Sequence, residues 1–336
     1  MLDTGEHFAI ARARQALRAA GLDESGDLVR AESTRNEVFI GERVVVRINR
    51  QPNQRLHREA AVCSRLPRAP WSPHVIAQGG PIGADYLIVG RKPGHSLAQQ
   101  WPAMPAEQRR RAMASLGDAL SSLHATPTPP DLPPLEAATH LIDPRCVSPL
   151  VPLLVAIDDL RNHPQLDRGL LTAVEERVLG LGSCLDDYHH QRLVHGDLSF
   201  ENVLWDGISV SLVDFEWCRG GAADLDLDVL LRFCGLPFAH VAERFAAWAR
   251  PEDYLDAPVW LREHHPDLFA HPRLAERLVL YSLAFDMADL RDSADTPAAQ
   301  RGPLHPVNRI QSLLDHGSYL TPLLRRLDVT LDAAVR

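Results

Sequence analysis

"LVHGDLSFENVLW", residues 193 to 205, is the stretch that decides the fold of this chain. It sets His195, Asp197 and Asn202 between apolar flanks, and "LVDFEW" follows at 212 to 217. Buried polar groups are costly unless they have partners. A carboxylate, an amide and a second carboxylate, Asp214, in so short a span therefore point to a site rather than to packing. A loop followed by a hairpin brings all three to one mouth, and "DGIS" is the tight-turn signal for that hairpin. One carboxylate can orient and deprotonate an alcohol. The amide and the other carboxylate offer the hard oxygen ligands that Mg2+ prefers. A positioned nucleophile and neutralised phosphate charge are what phosphoryl transfer needs.

The chain around this stretch has two textures. Residues 6 to 21 read as an amphipathic helix ending at Gly21. "LVRAES", "EVFIG" and "RVVVRINR" read as three short strands, "QRLHREAAVCSRL" as a helix and "DYLIVGRKPG" as a strand entering a turn. Beyond Gly94 the pattern is mainly helical, at 105 to 125, 150 to 162, 169 to 190 and from 224 onward. The chain has 336 residues, 45% hydrophobic and 24% charged, enough for two unequal lobes. A net charge of −9 disfavours a nucleic-acid surface. Five cysteines without a CxxC pair suit reduced thiols in a cytoplasm. The charged N-terminus is unlike a signal peptide, and no apolar stretch is long enough for a membrane span.

The pattern H-x-D-x-x-x-x-N followed by D-F-x, here His195, Asp197, Asn202 and Asp214, resembles the catalytic and metal motifs of protein kinases. In the form "HGDLSFENVL" with "VDFEW" it resembles the aminoglycoside phosphotransferase family. That resemblance implies an α+β, bilobal, protein-kinase-like fold. Residues 1–92 would form a small antiparallel-sheet lobe with the nucleotide hinge, and 93–336 a large, mainly helical catalytic and substrate lobe. It implies Asp197 as the catalytic base, Asn202 and Asp214 as Mg2+ ligands, His195 as a structural residue, and ATP or GTP as co-substrate. "VVVRINR" stands where the family's phosphate-binding Lys is carried, so the base here is Arg47, with Glu59 as its helix partner. No G-x-G-x-x-G occurs. "ESTRNEVF" takes its place, with Ser33, Thr34 and Asn36 over the phosphates. The hinge would set Gly90 C=O and Lys92 N–H against the base edge. "GGAADLDLDVLLRF" departs from the family's G-D-P-x-x-D-L, so Asp224, Asp226 and Asp228 compete to brace the catalytic loop, with Asp226 preferred.

Protein acceptors are disfavoured, since the A-P-E motif and the Gly-rich loop are both absent. Two acidic sets are candidates for the acceptor. Asp158 and Asp159 lie before the catalytic loop; Asp286, Asp289, Asp292 and Asp295 recur at three-residue spacing, which shares a helix face. Such a face suits a polycation. The expectation is a cytoplasmic monomer or homodimer that phosphorylates a hydroxyl of a cationic antibiotic, giving resistance. Aminoglycosides, basic peptides of the tuberactinomycin type and macrolides are the acceptor classes. The alternative is a metabolic kinase for homoserine, choline or a sugar. A nucleotide-binding scaffold without activity is opposed by the intact Asp197, Asn202 and Asp214.

Overall fold

The run Val44, Val45, Val46 and Ile48 is β-branched, and such side chains pack well on a pleated surface. The resulting strand, β3 (Val44–Asn49), is the centre of a five-stranded antiparallel sheet. Its companions are β1 (Val29–Ala31), β2 (Asn36–Ile40), β4 (Val75–Gly79) and β5 (Tyr86–Gly90), in the order β1-β2-β3-β5-β4. The structure is a computed structural model and describes residues 4–23, 25–31, 33, 36–133, 135, 141–188, 191–241 and 246–329. Successive strand side chains face opposite ways. Val46 and Ile48 pack with Phe39 and Ile88 under Ala9, Ala13 and Leu17 of α1 (Thr4–Ala19). Arg47 takes the other face, where α2 (Arg55–Cys63) lays Leu56 and Ala60 on Leu87. β4 has no counterpart in the sequence reading. "VIAQG" is short, alternates half-buried with exposed residues, and runs into Gly80, so it reads as loop.

Beyond β5 the chain is mainly helical: α3 (Leu97–Gln100), α4 (Ala106–Ala125), α5 (Val151–Leu160), α6 (Arg168–Leu181), α7 (Asp224–Gly235), α8 (Ala257–His264) and α9 (Leu274–Ser293). α10 (Pro306–Leu314) and α11 (Leu320–Arg326) close the lobe. One hydrophobic core runs through it, and Trp101, Phe200, Phe233 and Tyr254 stack at its centre. The arrangement is the bilobal α+β fold that the motifs imply. All five cysteines are free. Among the described residues, no helix is long and apolar enough to cross a membrane.

The acidic spacing at 286 to 295 does not make one exposed face. Asp286 is fully buried, and its Oδ1 accepts from Arg232 Nη1 at 2.8 Å and Arg309 Nε at 2.9 Å. Arg309 Nη2 also reaches Asp289 Oδ2 at 2.5 Å. Asp292 is exposed, and Asp295 lies past the end of α9, 3.2 Å from His163 Nε2. Each three-residue step turns a side chain by about a sixth of a turn, so the series rotates from core to solvent. Internal arginines, not a ligand, compensate its buried end. Asp286 is thus a structural residue rather than part of an acceptor surface.

Removing the Asp286 carboxylate leaves the buried Arg232 guanidinium without its partner. Asp286→Ala should therefore lose about 3–5 kcal/mol of stability, read as a lower urea midpoint; an unmoved midpoint would contradict the assignment. Asp228 differs. It is fully buried with one hydrogen bond among the described residues, from Ser282 Oγ at 3.0 Å, and burial pushes its carboxyl up from 3.8 to about 6. A carboxyl raised in this way favours the fold when protonated. That contribution is complete below pH 3.8 and is lost as pH rises through about 6. Asp228→Asn should gain on the wild type across this window and be more stable by up to about 3 kcal/mol at neutral pH. Thermal unfolding at several pH values checks this, and a gap independent of pH would refute it.

Candidate active site

The catalytic stretch is held by its apolar members. Leu198 and Phe200 are fully buried, and the Phe200 ring lies 4.7 Å from that of Trp101 and 5.1 Å from that of Phe233. Pinned there, the loop leaves Asp197 and Asn202 half-exposed at one mouth. Asn202 Nδ2 donates to Asp197 O at 2.8 Å and to Asp197 Oδ2 at 3.0 Å. The amide thus orients the candidate base, and Asn202 Oδ1 keeps no hydrogen bond among the described residues. Gly196 has φ of 79°, and a Cβ there would stand 2.3 Å from Trp217 O, so only glycine fits.

His195 is fully buried. Its Nε2–H donates to Val213 O at 3.0 Å, and its Nδ1 accepts from Asp197 N–H at 3.4 Å. The ring braces two segments. Asp226 braces the same turn from below: it accepts from His195 N and Gly196 N, both at 2.8 Å, and from His124 Nε2 at 2.9 Å. Burial opposes its charge, but the His124 hydrogen bond and charge, with the Gly196 N–H, hold its carboxyl below the ordinary value. Asp224 turns instead to Tyr281 and Arg277, and Asp228 to Ser282. Of the three competing aspartates, Asp226 alone among the described residues meets the catalytic loop.

The hairpin of β6 (Val203–Trp205) and β7 (Val210–Leu212) then returns the chain. Asp206 Oδ1 caps its turn by accepting from Ile208 N and Ser209 N at 2.8 and 2.7 Å. Val213 N–H reaches Asn202 O at 3.0 Å, so Asp214 emerges beside Asn202. Asp214 sits at φ 66° and ψ 60°, a left-handed conformation that costs a non-glycine residue about 1–2 kcal/mol.

Arg47 crosses from the sheet to meet it. Its Nη2 lies 2.7 Å from Asp214 Oδ1 and 3.2 Å from Glu216 Oε2, and its Nη1 pairs with Glu59. The expected Arg47–Glu59 partnership is therefore present in the structure. Glu216 is the residue that sequence reasoning left without a role, although a carboxylate inside the buried "FEW" was itself a signal. It also accepts from Asn36 Nδ2 at 3.3 Å and lies 3.8 Å from Arg55 Nη1. Asn36 is accordingly a buried partner of Glu216, not an open cover for phosphates. Burial opposes the Arg47 charge, yet Asp214, Glu59 and Glu216 hold the guanidinium firmly protonated. Burial, with the charges of Asp214 and Glu216 beside it, pushes the Glu59 carboxyl up to about 7 in spite of Arg47.

Of the other nucleotide candidates, Ser33 is half-buried, and Thr34 lies outside the described residues. Gly90 ends β5, its N–H donating to His74 O at 2.8 Å, and Lys92 follows with Nζ on Pro70 O at 2.8 Å. Asp158 and Asp159 are both exposed on α5, Asp158 within 3.5 Å of Arg161. For a cation, the donor set fits a hard metal. Glu59, Asp214 and Glu216 offer carboxylate oxygens all within 4.8 Å of one another. These three carboxylates face two guanidiniums, Arg47 and Arg55, leaving one negative charge. Asp214 is the most accessible of the three. Its second oxygen and Asn202 Oδ1 are unbonded among the described residues, as oxygen ligands for Mg2+ must be.

Comparison with known proteins agrees with this geometry. The model of APH, the phosphotransferase enzyme family, matches residues 23–264. No curated protein matches the chain. Among solved structures, ADP-bound aminoglycoside phosphotransferase APH(2'')-Ib is similar over 95% of this chain and 99% of its own, at 13% identity and a TM-score of 0.59. A choline/ethanolamine kinase family protein from Mesorhizobium loti covers 96% and 98%, at 18% identity and a TM-score of 0.59. Aminoglycoside phosphotransferase APH(4)-Ia, in a ternary complex with ADP and hygromycin B, covers 95% and 99%, at 17% identity and a TM-score of 0.57. At such identities the likeness is one of fold; the family match is what assigns the chain. It is a kinase-like phosphotransferase and belongs to the phosphotransferase enzyme family.

Proposed function

We propose that the enzyme moves the terminal phosphoryl group of ATP or GTP onto a hydroxyl of a small molecule, with Asn202 and Asp214 as its Mg2+ ligands. The observation that carries this reading is the joining of Asp197, Asn202 and Asp214 at one half-exposed mouth, tied to Arg47. The nucleotides named in the similar structures support a nucleotide co-substrate. Asp197, oriented by the Asn202 amide, aligns the acceptor hydroxyl and takes its proton as the oxygen attacks. Arg47 presents a fork of donors toward the phosphates, which Arg binds bidentately. Mg2+, when bound, neutralises phosphate charge. Gly90 C=O and Lys92 N–H take the edge of the base, and Ser33 and Thr34 cover the phosphates. The odd number of unpaired cysteines supports a reducing, cytoplasmic location.

For the acceptor we propose a cationic antibiotic: an aminoglycoside, a basic peptide of the tuberactinomycin type, or a macrolide. The exposed Asp158 and Asp159 and the net charge of −9 support it. One observation favours the second reading, a metabolic kinase for homoserine, choline or a sugar. Asp286 and Asp289 are engaged by arginines, so the acidic surface open to a polycation is smaller than the sequence implies. A screen of ATP and GTP consumption over both acceptor groups, with mass spectrometry of the products, separates them. Turnover with the metabolites alone would remove the antibiotic reading.

Two substitutions test the chemistry. Asp197→Asn should leave nucleotide affinity near wild type and lower kcat by roughly 10²-fold or more, the scale of a lost general base. Near wild-type turnover would refute the role. Asp214→Ala should abolish the Mg2+-dependent part of nucleotide binding, while affinity in chelator matches that of the wild type. Calorimetry with and without Mg2+ measures this, and an unaltered metal dependence would count decisively against Asp214 as a ligand.

A further inference from the structure

A cavity of about 530 Å³ lies beside α2, and neither Asp197, Asn202, Asp214 nor Arg47 forms part of its wall. Its charged wall residues, among those described, are Arg58, Asp143, Arg145 and Arg219. Arg58 is almost fully buried, with Nε and Nη2 donating to Cys218 O at 3.0 and 2.5 Å. Its Nη1 has no partner among the described residues. Arg219, on β8 (Arg219–Gly220), has no side-chain hydrogen bond or ion pair among them. Arg145 is neutralised locally by Asp143, at 2.8 Å. Among the described residues, three guanidiniums against one carboxylate leave two positive charges around the cavity. Burial pushes the Arg58 guanidinium down to about 10, and the charges of Arg145 and Arg219 add to this. Buried charge without a counter-charge is costly. The rest of the wall is mostly apolar, built from Leu132, Leu135 and several prolines, with Thr128 and Gln191 as its uncharged polar members.

We propose that this cavity binds a phosphate monoester carrying a compact apolar body. A monoester bears close to two negative charges at neutral pH, which matches the two that are uncompensated, and guanidinium forks suit its oxygens. A carboxylate would answer only one of them. The volume lies within the range of small-molecule sites, and the proline wall gives the body of the ligand a rigid surface. The site is one of binding, with no group transferred in it, and it does not rest on the identity of the acceptor. Arg58 precedes Glu59 on α2, and Cys218 follows Asp214 by four residues. A ligand held by Arg58 and Arg219 therefore joins α2 to the segment that carries Asp214.

Phenyl phosphate is a suitable probe, titrated by calorimetry into the full-length protein with the nucleotide mouth saturated by Mg·ADP. The expected result is one-site binding that weakens with salt, with benzoate at least about tenfold weaker. Arg219→Ala removes one of the two net charges and should raise the Kd at least about tenfold. Arg145→Ala, at an exposed position, removes the same net charge and should act alike, so the reading does not hang on one variant folding. Absence of binding, an unchanged Kd in both variants, or binding that vanishes on saturation with Mg·ADP would each overturn the proposal, the last by assigning the phosphate to the transfer site.

Discussion

Arg47 is buried on the α2 side of the sheet, and a guanidinium cannot escape burial by giving up its proton. Its partners must therefore come to it, and they come from two other elements: Glu59 from α2, Asp214 and Glu216 from the segment after the catalytic hairpin. The sheet, the helix and the large lobe are positioned by that one demand. β3 pairs Arg47 with Val38 and Leu87. A one-residue slip in that register would turn the guanidinium into the α1 face, among Phe39 and Ile88, and put a valine in the cleft. The family's Lys at this place is a point charge with three donors. Arg47 has five in a fixed fork, and Glu216 is the additional carboxylate that receives one of them. The basic residue and the glutamate of "DFEW" thus explain each other.

The catalytic loop shows how strained parts are kept. Asp214 in a left-handed conformation and Gly196 pressed against Trp217 O are both unfavourable in isolation. They persist because the surroundings over-determine them. Asp226 takes two backbone N–H groups of the turn, His195 ties it to Val213, and Phe200 anchors it in the aromatic core. Asp226 accepts most strongly as an anion, and the hydrogen bond with His124 favours that form. A fully buried carboxylate far from solvent chemistry is here a device for holding a half-exposed one, Asp197, in place.

This division also explains what the sequence could convey. Asp197, Asn202, Asp214, Arg47 and Glu59 were legible because chemistry fixes both their types and their spacing, and the fold class came with them. Asp226 could be preferred among three candidates but not separated from the other two, since Asp224, Asp226 and Asp228 share a helix start and only the packed loop distinguishes them. β4 was not legible, because an edge strand with few buried residues lacks an apolar period. The aspartates of α9 misled for a related reason. Spacing reveals which residues share a face, not whether that face meets solvent or, as at Asp286, two arginines from other helices. Glu216 was overlooked because it stands at the x of D-F-x, where the motif specifies no residue.

Neighbouring residues on a helix project about 100° apart, and α2 uses that angle to serve two environments. Glu59 turns to the acidic mouth and Arg47; Arg58, one residue earlier, turns to Cys218 O and the basic cavity. The segment from 214 to 219 runs beside the helix in the same way, meeting Arg47 through Asp214 and the cavity through Arg219. Each environment thus holds one side of both elements. A shift of α2 that lengthened the Arg58 hydrogen bonds would also move Glu59 relative to Arg47, because a helix of nine residues moves as a rigid body. Negative charge is concentrated at the mouth that holds Asp197 and Asp214, and positive charge is kept behind the helix. The two fields act on the same short helix from faces about 100° apart, so a displacement of α2 at Arg58 is felt at the pairing of Arg47 with Glu59.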